Sequence, residues 1–104
     1  MGFWQNVNEI TLEDFRPGIR SRAEMGNDLI MACMEIDPGN EDAGHQHPFD
    51  QCGIVTDGKI EMFIEDERRV LKAMEIYFIP AGVFHGWKTL DTPVKILDIS
   101  VKQG

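Results

Sequence analysis

The chain has 104 residues, of which 42% are hydrophobic and 27% charged, so we expect one domain with one buried core. A net charge of −8 argues against a nucleic-acid partner, because the chain cannot neutralise phosphate groups. The apolar runs are far shorter than the roughly 20 residues that cross a bilayer, and the first residues lack the pattern of a secretion signal, so we expect no membrane partner and a cytoplasmic location.

Helical periodicity is nearly absent, and from residue 29 onward short apolar runs alternate with turn residues, which indicates an all-β sandwich or barrel. Near the start of the chain, Thr11 is predicted to cap one helical turn over residues 11–15, and residues 18–24 have the pattern of a strand. Asp57 and Gly58 predict a two-residue hairpin between their flanking strands, because both residues tolerate positive φ. The strands predicted after residue 28 cover residues 29–36, 51–56, 59–65, 68–72, 75–79, 83–88 and 94–101.

The chain divides into an N-terminal segment, residues 1–28, with an edge strand, and a barrel domain, residues 29–104. Phe3 and Trp4 are large apolar residues that need cover, either from the core of their own chain or from a partner subunit. The second alternative places the N-terminal segment in a dimer contact.

The three histidines of the chain are placed so that they can meet. His45 and His47 lie two residues apart, so on a strand their side chains project from the same face. Gln51 follows at the start of the next predicted strand, and His85 lies on a later strand with Trp87 on its face. If the strands close into a barrel, all four polar side chains point at one interior spot.

This spacing resembles the two motifs of the cupin family. The resemblance spans about residues 29–100 and implies an all-β, cupin-type double-stranded β-helix, or jelly-roll barrel. Residues that follow the first motif are Gly39, His45, His47, Gln51 and Gly58, with glutamine where the family has glutamate. Residues that follow the second are Pro80, Gly82 and His85, with Met74 in place of the leading glycine.

The resemblance implies one divalent transition metal held by His45, His47, Gln51 and His85. Three imidazoles and an amide oxygen suit Ni, Fe, Mn, Co and Zn, and the type of ligand does not choose among them. The alternative is that the histidines are packed barrel residues without a metal, and that Gln51 is a strand residue bonded to backbone.

The HxHPxxQ pattern, together with FRPGIRSR and IPAGVFHGW, is similar to small single-domain cupins of pectin degradation, which open the rings of unsaturated uronates. This resemblance implies an enzyme with a small-molecule substrate, in which Asp98 on the last strand moves a proton. It also implies a homodimer. The aromatic residue that the family has two places after the aspartate is Ser100 here, and no arginine follows it in this sequence.

Several alternatives stay open from the sequence. Asp98 faces either the barrel interior or solvent. Arg20 and Arg22 share a strand face and either meet an anionic substrate or carry surface charge. Phe63, Tyr77 and Trp87 line a pocket or pack in the core. Two rival functions are a metal-dependent dioxygenase and a non-catalytic small-molecule binding or sensory module.

Overall fold

The computed structural model describes residues 3–102, and within that range the chain forms ten strands and no helix. No helix of this range is therefore long and apolar enough to cross a membrane. The strands are β1 Glu13–Arg16, β2 Ile19–Met25, β3 Leu29–Ile36, β4 Glu41–His45, β5 Gln51–Asp57, β6 Lys59–Ile64, β7 Glu67–Lys72, β8 Ile76–Ile79, β9 His85–Thr89 and β10 Val94–Val101.

The strands form two antiparallel sheets. The six-stranded sheet has the order β1-β2-β3-β10-β5-β8, and the four-stranded sheet has the order β4-β9-β6-β7. The core lies between them and consists of the buried residues Ile19, Ile36, Val55, Ile60, Met62, Tyr77, Ile79, Val94 and Ile96. The prediction of an all-β jelly-roll fold is confirmed.

Alternation along β10 decides which of its side chains reach the interior. Val94, Ile96 and Asp98 are buried, whereas Leu97 and Ile99, which lie between and beyond them, are only partly buried. Successive side chains of a strand point to opposite faces of the sheet, so Asp98 has the parity of the core residues. Asp98 therefore faces the interior, 7% exposed.

The predicted hairpin at Asp57 and Gly58 is wrong. Gly58 does take a positive φ of 80°, but β5 pairs with β8 and β10, whereas β6 pairs with β7 and β9. The turn is a corner at which the chain leaves one sheet and enters the other. A Cβ atom at Gly58 would lie 2.3 Å from the carbonyl oxygen of Pro93, so a glycine is needed at this corner.

The helical turn predicted over residues 11–15 is also wrong, because residues 13–16 form β1 and pair with β2. This short strand and β2 form the edge of the six-stranded sheet. The core of the chain does not cover Trp4, whose side chain is 88% exposed. Cover from a partner subunit stays a prediction.

Candidate active site

A cavity of about 250 Å³ lies between the two sheets, and the candidate residues on its wall are His45, Gln51, Tyr77, His85, Trp87 and Asp98. His45 ends β4, His85 begins β9, and His47 lies in the loop after β4 rather than on a strand. That loop is held in place by the Gly82 N–H, which donates to the His47 carbonyl oxygen at 2.8 Å. One nitrogen from each of the three histidines lies within 4.8 Å of the other two.

The three imidazole rings are all oriented by an acceptor on Nδ1. His45 Nδ1 lies 3.0 Å from Asp42 Oδ2, His47 Nδ1 lies 3.0 Å from the Phe49 carbonyl oxygen, and His85 Nδ1 lies 2.9 Å from the Val83 carbonyl oxygen. A neutral imidazole that donates from Nδ1 carries its lone pair on Nε2. These contacts assign the metal-binding tautomer to each ring, as expected for ligands held by neighbouring acceptors.

His85 provides the strongest evidence that the residues fit an ion. Its Nε2 is the one fully buried side-chain nitrogen or oxygen of the described residues that has no hydrogen-bond partner. Burial lowers the pKa of His85, which favours the neutral ring. A buried nitrogen lone pair without a donor is costly, and coordination of a cation would remove that cost.

Gln51 links the histidines to Asp98. Its Oε1 lies 2.9 Å from His47 Nε2, and its Nε2 donates to Asp98 Oδ2 at 2.7 Å. When His47 donates from Nδ1, His47 Nε2 and Gln51 Oε1 both present lone pairs to each other. A cation bound by both atoms would remove this repulsion. Imidazole nitrogen and amide oxygen are both ligand atoms for divalent transition metals. A cluster of three histidines in this fold thus suggests a metal site.

Asp98 is held by two donors on one of its oxygens. The Tyr77 hydroxyl and the Gln51 amide both donate to Oδ2, and the hydrogen bonds of the described residues leave Oδ1 without a donor. Burial raises the pKa of Asp98, although the two hydrogen bonds oppose the rise, and burial likewise raises the pKa of Tyr77. A Cβ atom on Gly53 would lie 2.4 Å from the Tyr77 oxygen, so glycine at this position gives Tyr77 its room.

Asp42 is a site residue that the sequence did not reveal. It lies three residues before His45, and on a regular strand this odd spacing would put the two side chains on opposite faces. The register of β4 against β9 shifts between Asp42 and His45, and both residues line the cavity. Burial works to raise the pKa of Asp42, but the Gly44 N–H and the His45 ring outweigh it and hold this pKa below its ordinary value. The glycine at position 44 was the sequence signal of this irregularity, and in the structure it takes a φ of 133°.

Three residues that were candidates for the pocket do not line the cavity: Arg20, Arg22 and Phe63. The two arginines pair with acidic residues instead. Arg20 binds Glu35 at 2.9 Å and Asp37 at 2.8 Å, and Arg22 binds Glu24 at 3.2 Å. They lie on the outer face of β2, because Ile19, which alternates with Arg20, faces the core.

Phe63 follows the buried Met62 and therefore lies on the outer face of the four-stranded sheet. Its ring centroid is 5.0 Å from the Arg68 guanidinium carbon. Tyr77 and Trp87 do line the cavity. Phe15 and Arg16 of β1 also line it, although neither was predicted to do so.

Comparison with known proteins identifies the family. Residues 32–100 match the family model described as a cupin domain, and this match covers more than half of the chain. The chain therefore belongs to the cupin family. Among curated proteins it is similar to the pectin degradation protein KdgF of Dickeya dadantii (strain 3937), with 29% identity over 93 residues that cover 88% of this chain and 84% of that protein.

Two further comparisons extend this result. The fold is similar to that of KdgF from Halomonas sp., with a TM-score of 0.86, 27% identity, and coverage of 100% of this chain and 96% of that chain. The chain is also 28% identical over 87 residues to H2HPP isomerase of Bacillus subtilis, a match that covers 83% of this chain but 36% of the length of that protein. The predicted resemblance to small pectin-degradation cupins is confirmed.

Proposed function

We propose that this chain is a metal-dependent enzyme that acts on a sugar acid and converts an unsaturated uronate from its cyclic form to its open-chain keto form. Similarity to the two KdgF proteins supports the substrate class. The observation that carries the proposal is the buried Asp98 carboxylate, joined through Gln51 to His47 at the cavity. A buried carboxylate is costly, and a free oxygen at a cavity wall is where a proton acceptor would act.

The proposed metal ligands are His45, His47, Gln51 and His85. A divalent ion bound by them would act as a Lewis acid that polarises a sugar oxygen. The donor set suits Ni, Fe, Mn, Co and Zn, so the identity of the ion is a matter for elemental analysis.

The proposed reaction is an isomerisation without an oxidant. A proton leaves the hydroxyl on the anomeric carbon, and the bond between that carbon and the ring oxygen breaks. The anomeric carbon becomes an aldehyde, and the ring oxygen keeps the electron pair of the broken bond as an enolate oxygen. This oxygen then forms a C=O double bond to the ring carbon that carries it, and the other carbon of the former C=C bond takes up the proton, which leaves a ketone. One group that first accepts and then donates a proton suffices, and the proposal gives this role to Asp98, whose Oδ2 accepts from Gln51 and Tyr77 while Oδ1 accepts no hydrogen bond from the described residues.

The neighbours of Asp98 prepare it for proton transfer. Gln51 and Tyr77 hold Oδ2, which orients the free Oδ1 without occupying it. Burial raises the pKa of Asp98 and so makes its ionised form a stronger base than an exposed aspartate. Ile79 and Ile96, both buried, are apolar residues of the same cavity wall.

The test combines metal content with turnover. Protein purified without an affinity tag is analysed for metals, as are His47→Ala and Gln51→Ala, and loss of the ultraviolet absorbance of the unsaturated uronate is followed. We expect a metal in the wild type, less in both variants, and a fall in kcat of about 10²–10⁴ in Asp98→Asn at unchanged metal content. Asp91→Asn, at an exposed loop position, is the matched control and should turn over normally.

The same experiment addresses the rival functions. Oxygen uptake in the presence of substrate would favour a dioxygenase. Ligand binding that survives in Asp98→Asn, without turnover by the wild type, would favour a binding or sensory module. The similarity to an isomerase supports proton transfer rather than oxidation.

We also propose that the chain forms a homodimer. The outer face of the six-stranded sheet carries exposed apolar side chains, including Ile76 at 73% and Phe78 at 59% exposure, and Trp4 is exposed too. Exposed apolar residues in such number favour a protein contact. Sedimentation velocity tests the proposal, and a monomer at micromolar concentration would contradict it.

A further inference from the structure

We infer that Arg16 binds the carboxylate of the substrate and thereby selects acidic over neutral sugars, an inference that rests on the proposed function. A carboxylate is bound in proteins by a cationic side chain with several N–H donors, and Arg16 of β1 lies on the cavity wall.

An irregularity in β1 brings Arg16 to the cavity. Consecutive residues of a regular strand face opposite sides, yet Phe15 and Arg16 both line the cavity. The register of β1 against β2 runs from the pair Asp14–Arg20 to the pair Arg16–Ile19, so Phe15 is an extra residue in the ladder. Bulges of this kind redirect side chains, and here one lets β1 present two side chains to the same space.

The guanidinium of Arg16 is available for a ligand. Arg20, Arg22 and Arg69 are engaged in ion pairs, whereas Arg16 makes no ion pair or hydrogen bond with any other side chain between residues 3 and 102. Its nearest aromatic neighbour is Phe15, with the guanidinium carbon 5.4 Å from the ring centroid. Arg16 is exposed and also lines the cavity, so it lies at the opening rather than at the base.

The charges of the other wall residues make Arg16 the natural partner of an anion. Asp42 is engaged with His45 and the Gly44 N–H, and Asp98 is engaged with Gln51 and Tyr77. Among the described residues of the cavity wall, Arg16 is the one lysine or arginine and so the permanently charged cation. The chain carries a net charge of −8, which repels anions at long range, and a cation at the opening offsets this repulsion locally.

A planar guanidinium fits a carboxylate with two parallel hydrogen bonds. Phe15, beside Arg16 and 63% exposed, adds an apolar surface against which the ring of a sugar packs. Because the pair is partly exposed, loss of Arg16 should weaken binding by about tenfold rather than abolish it.

The test compares Arg16→Gln with Arg22→Gln, which removes an arginine from the outer face of β2. Metal-loaded proteins are titrated with D-galacturonate and, as a neutral counterpart, D-galactose, and KM and kcat are measured with the unsaturated uronate. We expect Arg16→Gln to raise KM about tenfold, to leave kcat and metal content unchanged, and to lose the preference for galacturonate. Arg22→Gln should behave as the wild type.

Arg16→Lys serves as a second variant that keeps the charge, and it should recover part of the affinity. If Arg16→Gln keeps the wild-type KM and the preference for galacturonate while the wild type turns over the uronate, Arg16 does not bind the carboxylate and only this inference fails. If the wild type neither turns over the uronate nor prefers galacturonate to galactose, the proposed function fails, and this inference fails with it.

Discussion

Glutamine at position 51, where the cupin motif has glutamate, is explained by its two neighbours. Its oxygen faces His47 Nε2, and its nitrogen donates to the buried Asp98 at 2.7 Å. An amide offers an acceptor on one side and a donor on the other, whereas an ionised carboxylate offers acceptors alone. A carboxylate at this position would face Asp98 with a second set of acceptors. We therefore predict that Gln51→Glu destabilises the metal-free protein at neutral pH.

The size of this effect follows from the geometry. Two unit charges 2.7 Å apart repel each other by about 6 kcal/mol at an effective dielectric constant of about 20. The pair can avoid this cost by holding one proton, and for a glutamate of ordinary pKa about 4.3 that proton costs about 4 kcal/mol at pH 7. Binding one proton costs less than the repulsion between two charged carboxylates, so the folded protein would bind the proton. The expected loss in the free energy of unfolding is therefore about 3–4 kcal/mol.

The assay is chemical denaturation of chelator-treated protein at pH 7 and at pH 5. In Gln51→Glu the folded pair binds a proton that the unfolded chain releases at pH 7. The folded state therefore binds more protons, and its stability relative to the wild type should improve as the pH falls. A bound divalent ion should also reduce the deficit, because its charge offsets the added carboxylate.

Two further variants make the prediction strict. Gln5→Glu makes the same chemical change at an exposed position and should shift the free energy of unfolding by no more than about 0.5 kcal/mol. Gln51→Glu combined with Asp98→Asn exchanges amide and carboxylate and should recover most of the loss. Stability of Gln51→Glu equal to that of the wild type, or no recovery in the double variant, would refute this account of Gln51.

Three other predictions follow from contacts of single residues. Tyr77→Phe should lower kcat severalfold and stability by about 1 kcal/mol, with metal content unchanged, because Asp98 loses a donor; equal kcat would contradict a role for Tyr77 in orienting Asp98. Asp42→Ala should weaken metal binding about 10- to 100-fold in a competition titration, because His45 loses the acceptor on Nδ1; unchanged affinity would show that His45 needs no such partner. Met74→Gly should raise the free energy of unfolding by about 1 kcal/mol, because the 74% exposed Met74 has φ of 73°. Gly39→Ala is the opposite change, because Gly39 has φ of 82° and an added Cβ would have no neighbour within 4 Å, and it should lower the free energy of unfolding. Shifts of the same sign in Met74→Gly and Gly39→Ala would refute the backbone argument.

Local signals predicted the parts of the site that depend on spacing along one strand. Gln51 does begin β5, and His85 does lie on a strand, β9, with Trp87 on its inward face. The positions of Asp42 and Arg16 escaped prediction, because each reaches the cavity through a shift in strand register. An extra residue in a strand moves each side chain after it to the other face of the sheet. The neighbouring residues do not predict such a bulge reliably.

The sequence by itself determined the all-β class, the candidate ligand set and the acidity that makes nucleic acid an unexpected partner, because alternation, motif spacing and charge are properties of neighbouring residues. Tertiary structure alone decided that the turn at Gly58 joins two sheets rather than two paired strands, that Arg20 pairs with Glu35 and Asp37, and that Asp98 lies inside. A turn sets the local path of the chain, but strand pairing depends on which surfaces bury one another, and that requires the whole chain.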